Sequence, residues 1–263
     1  MCRAYIMIAA ALGENADECE KIADALQAEI NNVFWDEKRG AYRHSRIEGK
    51  AGECVTAYAN VFALLTGFAD ENRKSKITCA LLHDNSIPLI TTPYMQAFLL
   101  SCLCEAGEFE CVRESLRDYF GNMASTGTST FWETYKIGEQ KESATDMYGR
   151  PFGRSQCHIW GAGAILIIGK YFYGLKNDTA FGERFVLQPY LPAIENTSAT
   201  LPLKHGKITV SYYGNTFSVR AEEQSGELRL NGVSHELTAG KTYTFDTKQK
   251  AAFSASVPQT KAI

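Results

Sequence analysis

The sequence lacks the features that would assign it to several broad functional classes. Its 263 residues carry a formal net charge of only −3 and no long run of one sign, so no electrostatic footprint for nucleic acid or an anionic membrane is present. No stretch approaches the roughly 20 apolar residues of a membrane span. The 45% hydrophobic content is ordinary for a chain that buries a sizeable core. We therefore expect a soluble protein with neither nucleic-acid nor membrane partners.

The sequence also lacks the cysteine spacing that is typical of metal sites and redox motifs. It has eight cysteines, but none lie in a CxxC pattern, and Cys102 and Cys104 would face different sides of a helix. Because the cysteines fall among apolar neighbours in helical patterns, we interpret them as buried free thiols. This interpretation is compatible with a reducing compartment.

The first residues do not have the pattern of a secretory signal. The apolar run from Ala4 to Leu12 is not followed by a small-residue cleavage site, so we interpret it as the end of a helix. The chain as written is expected to be cytoplasmic, or periplasmic if it belongs to a longer exported precursor.

Residues 1–178 have the period of helices. Apolar residues recur at three- and four-residue spacing, and Gly or Pro residues fall where helical hairpins would turn. The predicted helices span residues 16–34, 53–68, 72–82, 94–105, 108–120 and 155–173.

Residues 179–263 have the period of strands. Apolar and polar residues alternate in several short runs, which turn signals such as Gly214-Asn215 and Asn231-Gly232 separate. This pattern predicts a small antiparallel β domain of roughly seven strands. The tail after Ala252 is weakly patterned and is expected to fray.

One carboxylate stands among aromatic residues. Glu133 lies in the stretch Phe131-Trp132-Glu133-Thr134-Tyr135, where rings could shield it from water and raise its proton affinity. An indole or phenol ring also offers a flat apolar surface for the CH groups of a sugar. The alternative is that Glu133 is a solvated or hydrogen-bonded structural residue.

A histidine and a second tryptophan follow at a predicted helix start. His158 could be a neutral hydrogen-bonding group, since a helix N-terminus disfavours its protonation, or it could be a residue at the edge of the core. The run Gly161–Ala164 lacks the rest of a phosphate-binding loop and is interpreted as small residues that allow tight helix packing. Asp146 and Arg150 could form a structural ion pair or bind a sugar.

The order of four motifs resembles the bacterial α-L-rhamnosidases of glycoside hydrolase family 78, which are six-hairpin glycosidases. These motifs are residues 91–95 (TTPYM), 118–121 (DYFG), 130–133 (TFWE) and 147–161 (MYGRPFGRSQCHIWG). The resemblance extends over residues 4–202 and corresponds to the C-terminal half of that family. It implies a multidomain α plus β protein, with a partial (α/α)6 toroid in residues 1–178 and a small antiparallel β-sandwich in residues 179–263.

The resemblance also implies roles for individual residues. Glu133 would be the general base of an inverting hydrolysis, and His158 would bind sugar hydroxyls close to the attacking water. By analogy, Trp132, Trp160 and Tyr94 would shape the pocket. No cofactor or metal ion is implied by these motifs.

The sequence departs from the family in one important respect. An inverting glycosidase needs a general acid about 6.5 to 9.5 Å from the base, and nothing in the sequence corresponds to the family's acid-rich motif. The first hypothesis is therefore a rhamnosidase fragment that lacks its acid, with a rhamnosyl glycoside as substrate. The second is a non-catalytic carbohydrate-binding or interaction module that pairs with the missing half as a separate chain or with its own copies. The third is a related glycosidase for a uronic acid or another deoxysugar.

Overall fold

The structure is a computed structural model that describes residues 2–125, 130–138, 146, 149–179 and 181–248. Its contacts divide the chain into two compact units, residues 1–164 and 165–263. The boundary predicted at 178/179 from the change of period stays a prediction. The helical structure that precedes the sheets of the second unit ends at Phe172, and the first strand of these sheets begins at Leu175. The last helical turns are assigned to the unit that contains the sheets.

The first unit is built mainly from helices. These are α1 Cys2–Leu12, α2 Asp17–Phe34, α3 Ala57–Leu65, α4 Glu71–His83, α5 Pro93–Glu105, α6 Phe109–Ser115 and α7 Asn122–Ser125, with a π-helical turn, Leu116–Gly121, between the last two. A 3₁₀ turn, Ile159–Ala162, leads into α8, Gly163–Ile167, which a second π-helical turn, Ile168–Phe172, continues. The helices predicted at 16–34, 72–82 and 94–105 are confirmed.

Two helix starts differ from the prediction because the backbone pairs elsewhere. The helix predicted from residue 53 begins at Ala57, since Val55 forms a bridge with Arg43 and Cys54 accepts a backbone bond from His44. The helix predicted from Ser155 begins only at Ile159. Two short ribbons were not predicted. They pair β1 Trp35–Asp36 with β2 Ala41–Tyr42 and β3 Arg46–Ile47 with β4 Lys50–Ala51.

The core of the first unit lies where α2, α3, α4, α5 and β2 meet. Asn60 of α3 is fully buried and joins α3 to β2. Its amide oxygen accepts from Tyr42 N at 2.7 Å, and its amide nitrogen donates to Tyr42 O at 3.0 Å and to Thr56 O at 2.9 Å. These hydrogen bonds offset the cost of removing the amide from water, so the side chain can stay in the core.

The second unit contains two four-stranded sheets. Its strands are β5 Leu175–Asn177, β6 Phe185–Leu187, β7 Thr197–Pro202, β8 Lys207–Tyr213, β9 Thr216–Ala221, β10 Gly226–Leu230, β11 Val233–Leu237 and β12 Thr242–Asp246, with a 3₁₀ turn at Leu191–Ala193. The sheet orders are β11-β10-β6-β5 and β12-β9-β8-β7. Burial alternates along β8, β9 and β10, as period-2 patterning predicts.

The expectation of purely antiparallel strands is wrong for one pair. β6 and β10 run parallel, with Phe185 opposite Gly226 and Leu187 opposite Leu228. A parallel pair needs a long crossover connection, and the chain between β6 and β10 supplies it by forming β7, β8 and β9. That the two sheets pack face to face as a sandwich stays a prediction. The predicted fraying after Ala252 concerns residues outside the described ones.

Within the described residues, no helix is long and apolar enough to cross a membrane.

Candidate functional site

The loop that carries Glu133 is attached to the helical core at both ends. Tyr135 N donates to Thr91 O at 2.8 Å, one turn before Tyr94 of α5. The hydroxyl of Tyr119 donates to the same carbonyl at 2.9 Å. At the other end, the Thr130 hydroxyl donates to Gln156 O. The loop is therefore held beside the N-terminus of α5.

The side chains of this loop differ in burial. Trp132 is only 1% exposed, and its ring meets that of Tyr135 edge-on at 5.8 Å. Glu133 and Thr134, in contrast, are half-buried. Trp132 therefore packs in the core, and a contribution of its indole to a sugar pocket would have to be indirect.

Two backbone hydrogen bonds and one hydrogen bond to a side chain join the loop that carries Glu133 to the segment before α8. Glu133 N donates to Ser155 O at 2.9 Å, and His158 N donates to Phe131 O at 2.7 Å. Ser155 N donates to Oε2 of Glu133 at 3.3 Å. A carboxylate that accepts a backbone N–H is restrained in orientation. Ser155 is thus a site residue that the sequence interpretation missed, since a backbone donor leaves no signal in residue type.

The pairing with Phe131 explains the late start of the helix at Ile159. His158 has extended backbone angles, φ −123° and ψ 110°, and occupies the position just before the 3₁₀ turn. The prediction that His158 stands at a helix start is confirmed. Its ring lies parallel to that of Trp160, with centroids 4.0 Å apart and an interplanar angle of 1°. Stacking of this kind restrains the imidazole.

Trp160 in turn stacks on Tyr94 of α5. Their centroids lie 5.6 Å apart at an interplanar angle of 30°. Trp160 is 45% exposed and Tyr94 is 42% exposed. Glu133 and His158 lie on two segments that are joined by backbone hydrogen bonds. Trp160 stacks on His158, and Tyr94 stacks on Trp160. The structure thus places four residues predicted from the sequence in one region.

Small residues allow this approach. A Cβ on Gly161 would lie 2.8 Å from Phe131 Cβ and 2.9 Å from Trp132 O, and one on Gly163 would lie 2.2 Å from Ala97 Cβ. Real Cβ atoms do not approach so closely, so both positions require glycine. The interpretation of this run as packing residues is confirmed.

Asp146 and Arg150 are both exposed, and in the described part of the chain no ion pair joins them. Residues 147–148 between them, and the turn 126–129, lie outside the described residues. A sugar-binding role for Asp146 and Arg150 therefore stays a prediction.

The cysteines are less buried than predicted. Cys102 and Cys104 are buried, and burial raises the pKa of the Cys102 thiol to about 12. Cys54, Cys79 and Cys157 are exposed. Cys54 and Cys157 lie in connections that are not helical, and Cys79 lies on the exposed face of α4. Helical spacing alone therefore did not separate the buried thiols from the exposed ones.

Comparison with protein-family models and with curated proteins returns no match. Solved structures do match. A rhamnosidase of glycoside hydrolase family 78 from Bacillus sp. GL1 aligns with a TM-score of 0.68 and 26% identity, over 86% of this chain and 24% of that one. An α-L-rhamnosidase from Aspergillus terreus aligns with a TM-score of 0.69 and 13% identity, over 94% of this chain and 29% of that one.

A third match is the α-L-rhamnosidase of Streptomyces avermitilis, solved as a complex with L-rhamnose. It aligns with a TM-score of 0.61 and 14% identity, over 90% of this chain and 25% of that one. This chain thus spans about a quarter of the length of the solved structures it matches. Its fold is that of the corresponding part of the α-L-rhamnosidases.

Proposed function

We propose that the chain takes part in glycoside hydrolysis of the α-L-rhamnosidase type, with Glu133 as the general base and a terminal α-L-rhamnosyl residue as substrate. The observation that carries the proposal is the restrained, half-buried carboxylate of Glu133 on a segment paired with that of His158. The rhamnosidase-like fold and the order of the sequence motifs support it.

The geometry suits a base that orients water. Oε2 of Glu133 accepts from Ser155 N, and among the described residues no hydrogen bond is made to Oε1, which would accept a proton from a water molecule in this proposal. A carboxylate fixed before the reaction begins avoids the cost of ordering it in the transition state. In an inverting mechanism that water attacks the anomeric carbon while a second carboxyl group protonates the leaving oxygen.

The stacked rings suit the binding of a sugar. An imidazole can donate to or accept from a hydroxyl group, and aromatic surfaces bind the CH groups of a pyranose. His158, Trp160 and Tyr94 supply both kinds of group in one row. In this proposal Arg150 and Asp146 are further sugar ligands.

Glu133→Gln tests the proposal directly. Because the sequence has no counterpart of the family's general acid, the unmodified chain should show only residual turnover of an aryl α-L-rhamnoside. Replacing the base should reduce this residual turnover by about 10²- to 10⁴-fold, the usual contribution of general acid–base catalysis. Binding of L-rhamnose, measured by calorimetry, should change little because Gln keeps the size of the side chain. The matched control is Glu110→Gln, which changes an exposed residue that pairs with Arg113. Undiminished turnover in Glu133→Gln would remove this residue from the mechanism.

A non-catalytic carbohydrate-binding module is the second candidate. The exposed rings of Trp160 and Tyr94 favour it, because they would bind a sugar whether or not a general acid is present. In this case L-rhamnose binds, Trp160→Ala weakens binding, and the unmodified protein shows no turnover. Association with a second chain or a second copy stays a prediction that size-exclusion chromatography can check.

A further inference from the structure

The two backbone hydrogen bonds between the loop that carries Glu133 and the segment before α8 span unequal lengths of chain. On the loop a single residue, Trp132, lies between the two bonds, whereas on the other segment two residues, Gln156 and Cys157, lie between them. This is the residue count of a β-bulge, in which the extra residue is left without a partner on the opposite strand. The polar backbone groups of the bulge must therefore form hydrogen bonds elsewhere.

The side-chain hydroxyl of Ser155 provides these hydrogen bonds for Cys157. Its Oγ accepts from Cys157 N at 3.3 Å and donates to Cys157 O at 3.2 Å. The carbonyl of Gln156 accepts instead from the hydroxyl of Thr130. Both polar backbone groups of Cys157 are thus paired with one serine side chain.

The same serine contacts Glu133 through its backbone. Ser155 O accepts from Glu133 N at 2.9 Å, and Ser155 N donates to Oε2 of Glu133 at 3.3 Å. Because the bonds of the hydroxyl to Cys157 restrain residue 155, they also restrain the N–H that orients the carboxylate. A displacement of about 1 Å in a reacting group can lower a rate by about 100-fold, so restraint at this position has a consequence for catalysis.

We propose that the Ser155 hydroxyl is a positioning group for Glu133, which fixes the bulge so that the Ser155 N–H holds the carboxylate in place for the attacking water. This inference rests on the proposed function and deepens it, because it assigns a share of the rate to a side chain that acts only through another residue. Alanine at position 155 would keep the backbone N–H, but Cys157 would lose both of its bonds to the hydroxyl.

The test uses α-L-rhamnosyl fluoride, so that turnover does not require a general acid. In this substrate the C–F bond breaks with its electron pair on fluoride, the oxygen of water bonds to the anomeric carbon, and a proton of that water passes to Glu133. No leaving oxygen has to be protonated, so the rate reports on the base. Glu133→Gln should therefore reduce kcat, measured as fluoride release, by about 10²-fold or more.

Ser155→Ala should reduce kcat by about tenfold and change KM by less than about twofold, because the base is displaced while the groups proposed to bind the sugar remain. Ser155→Thr keeps the hydroxyl and should restore kcat to within about threefold of the unmodified value. In the Glu133→Gln background, Ser155→Ala should change kcat by less than about twofold, since a positioning group has no effect once the group it positions is gone.

Ser234→Ala is the matched control, because it also removes a serine hydroxyl that forms a hydrogen bond, in this case to Glu227 of the second unit. It should leave kcat unchanged. Circular dichroism and urea unfolding check that each variant folds. If Ser155→Ala does not fold, Ser155→Cys takes its place, since a thiol is similar in shape to a hydroxyl but is a weak hydrogen-bond partner.

An unchanged kcat in Ser155→Ala, together with a reduced kcat in Glu133→Gln, overturns this inference and leaves the proposed function standing. An equal loss from Ser155→Ala in both backgrounds, or no recovery in Ser155→Thr, assigns the hydroxyl a purely structural role and also overturns the inference. A kcat that Glu133→Gln leaves unchanged, or the absence of fluoride release by the unmodified protein, overturns the proposed function and this inference together.

Discussion

The strands of the second unit and the helices of the first unit differ in how they bury apolar side chains. In the second unit, residues 165–263, strands β8, β9 and β10 bury their large apolar residues at alternate positions. In the first unit, residues 1–164, α1 and α3 leave large apolar residues on the surface. A strand has two faces, so pairing and alternation decide which one is buried. A helix has a wider apolar stripe, and its neighbours decide how much of it is covered.

This difference shows why hydrophobicity alone does not identify a core residue. Phe217 in β9 is fully buried, whereas Phe62 in α3 is 45% exposed. Both positions fit the apolar period of their element. The exposed rings proposed to bind a ligand, Tyr94 and Trp160, belong to the helical unit.

The largest expected effect is that of Phe217→Ala. Removal of a fully buried ring costs the transfer free energy of the side chain plus that of the cavity, about 3–5 kcal/mol of unfolding free energy. Phe62→Ala should cost less, about 1 kcal/mol, because Phe62 is already 45% exposed and the ring contact that is lost is the one with Phe98. Urea unfolding followed by circular dichroism measures both, because the three tryptophans all lie in the first unit and report on it alone. Equal costs for the two variants would contradict the comparison.

A smaller effect is expected for Gly163→Ala within the helical unit. The added methyl would overlap Ala97 Cβ, so α8 and α5 must move apart, at a cost of about 1–3 kcal/mol. Gly121→Ala is the control, since a Cβ at this position would lie at an ordinary 3.8 Å from Leu116 O. Urea unfolding followed by tryptophan fluorescence distinguishes the two. Gly163→Ala should also weaken binding of L-rhamnose, because α8 follows the turn that carries Trp160.

The smallest effect is expected for Asp84→Asn. Hydrogen bonds from Ser86 and Arg39 lower the pKa of Asp84 from 3.8 to about 2. Because the folded-state pKa is lowered, the ionised carboxylate stabilises the fold above about pH 4, and this stabilisation is lost as the pH falls towards about 2. The difference in urea midpoint between the unmodified protein and Asp84→Asn should therefore shrink over that range.

Asp118→Asn is the control for this measurement, since the carboxylate of Asp118 forms an exposed pair with Arg117. A difference for Asp84→Asn that stays constant from pH 5 to pH 2 would show that the pairing with Arg39 does not depend on the charge of Asp84.

The elements that were predicted well are those with strong local signals. α5 begins at Pro93 and ends before Gly107, and its apolar pattern is nearly continuous. Proline in the first turn and glycine after the last are reliable limits of a helix. The segment 155–158 has no such signal, and its conformation depends on hydrogen bonds to residues 131–133.

The candidate site was predicted in part for the same reason. Glu133, His158, Trp160 and Tyr94 are residue types that a motif can identify. The role of Ser155, through its backbone N–H, depends on a segment far from Glu133 in the chain. Trp132 is the opposite case. Its residue type suggests a surface that binds a ligand, but the folded chain buries its side chain.

The sequence by itself determined the helical and strand periods, the main helices, and the residue types available for sugar chemistry, because these follow from local spacing. Only the tertiary structure decided which rings are exposed, how Glu133 is held, and that β6 and β10 run parallel. Each of these depends on contacts between segments far apart in the chain, and residue spacing within one segment carries no information about such contacts.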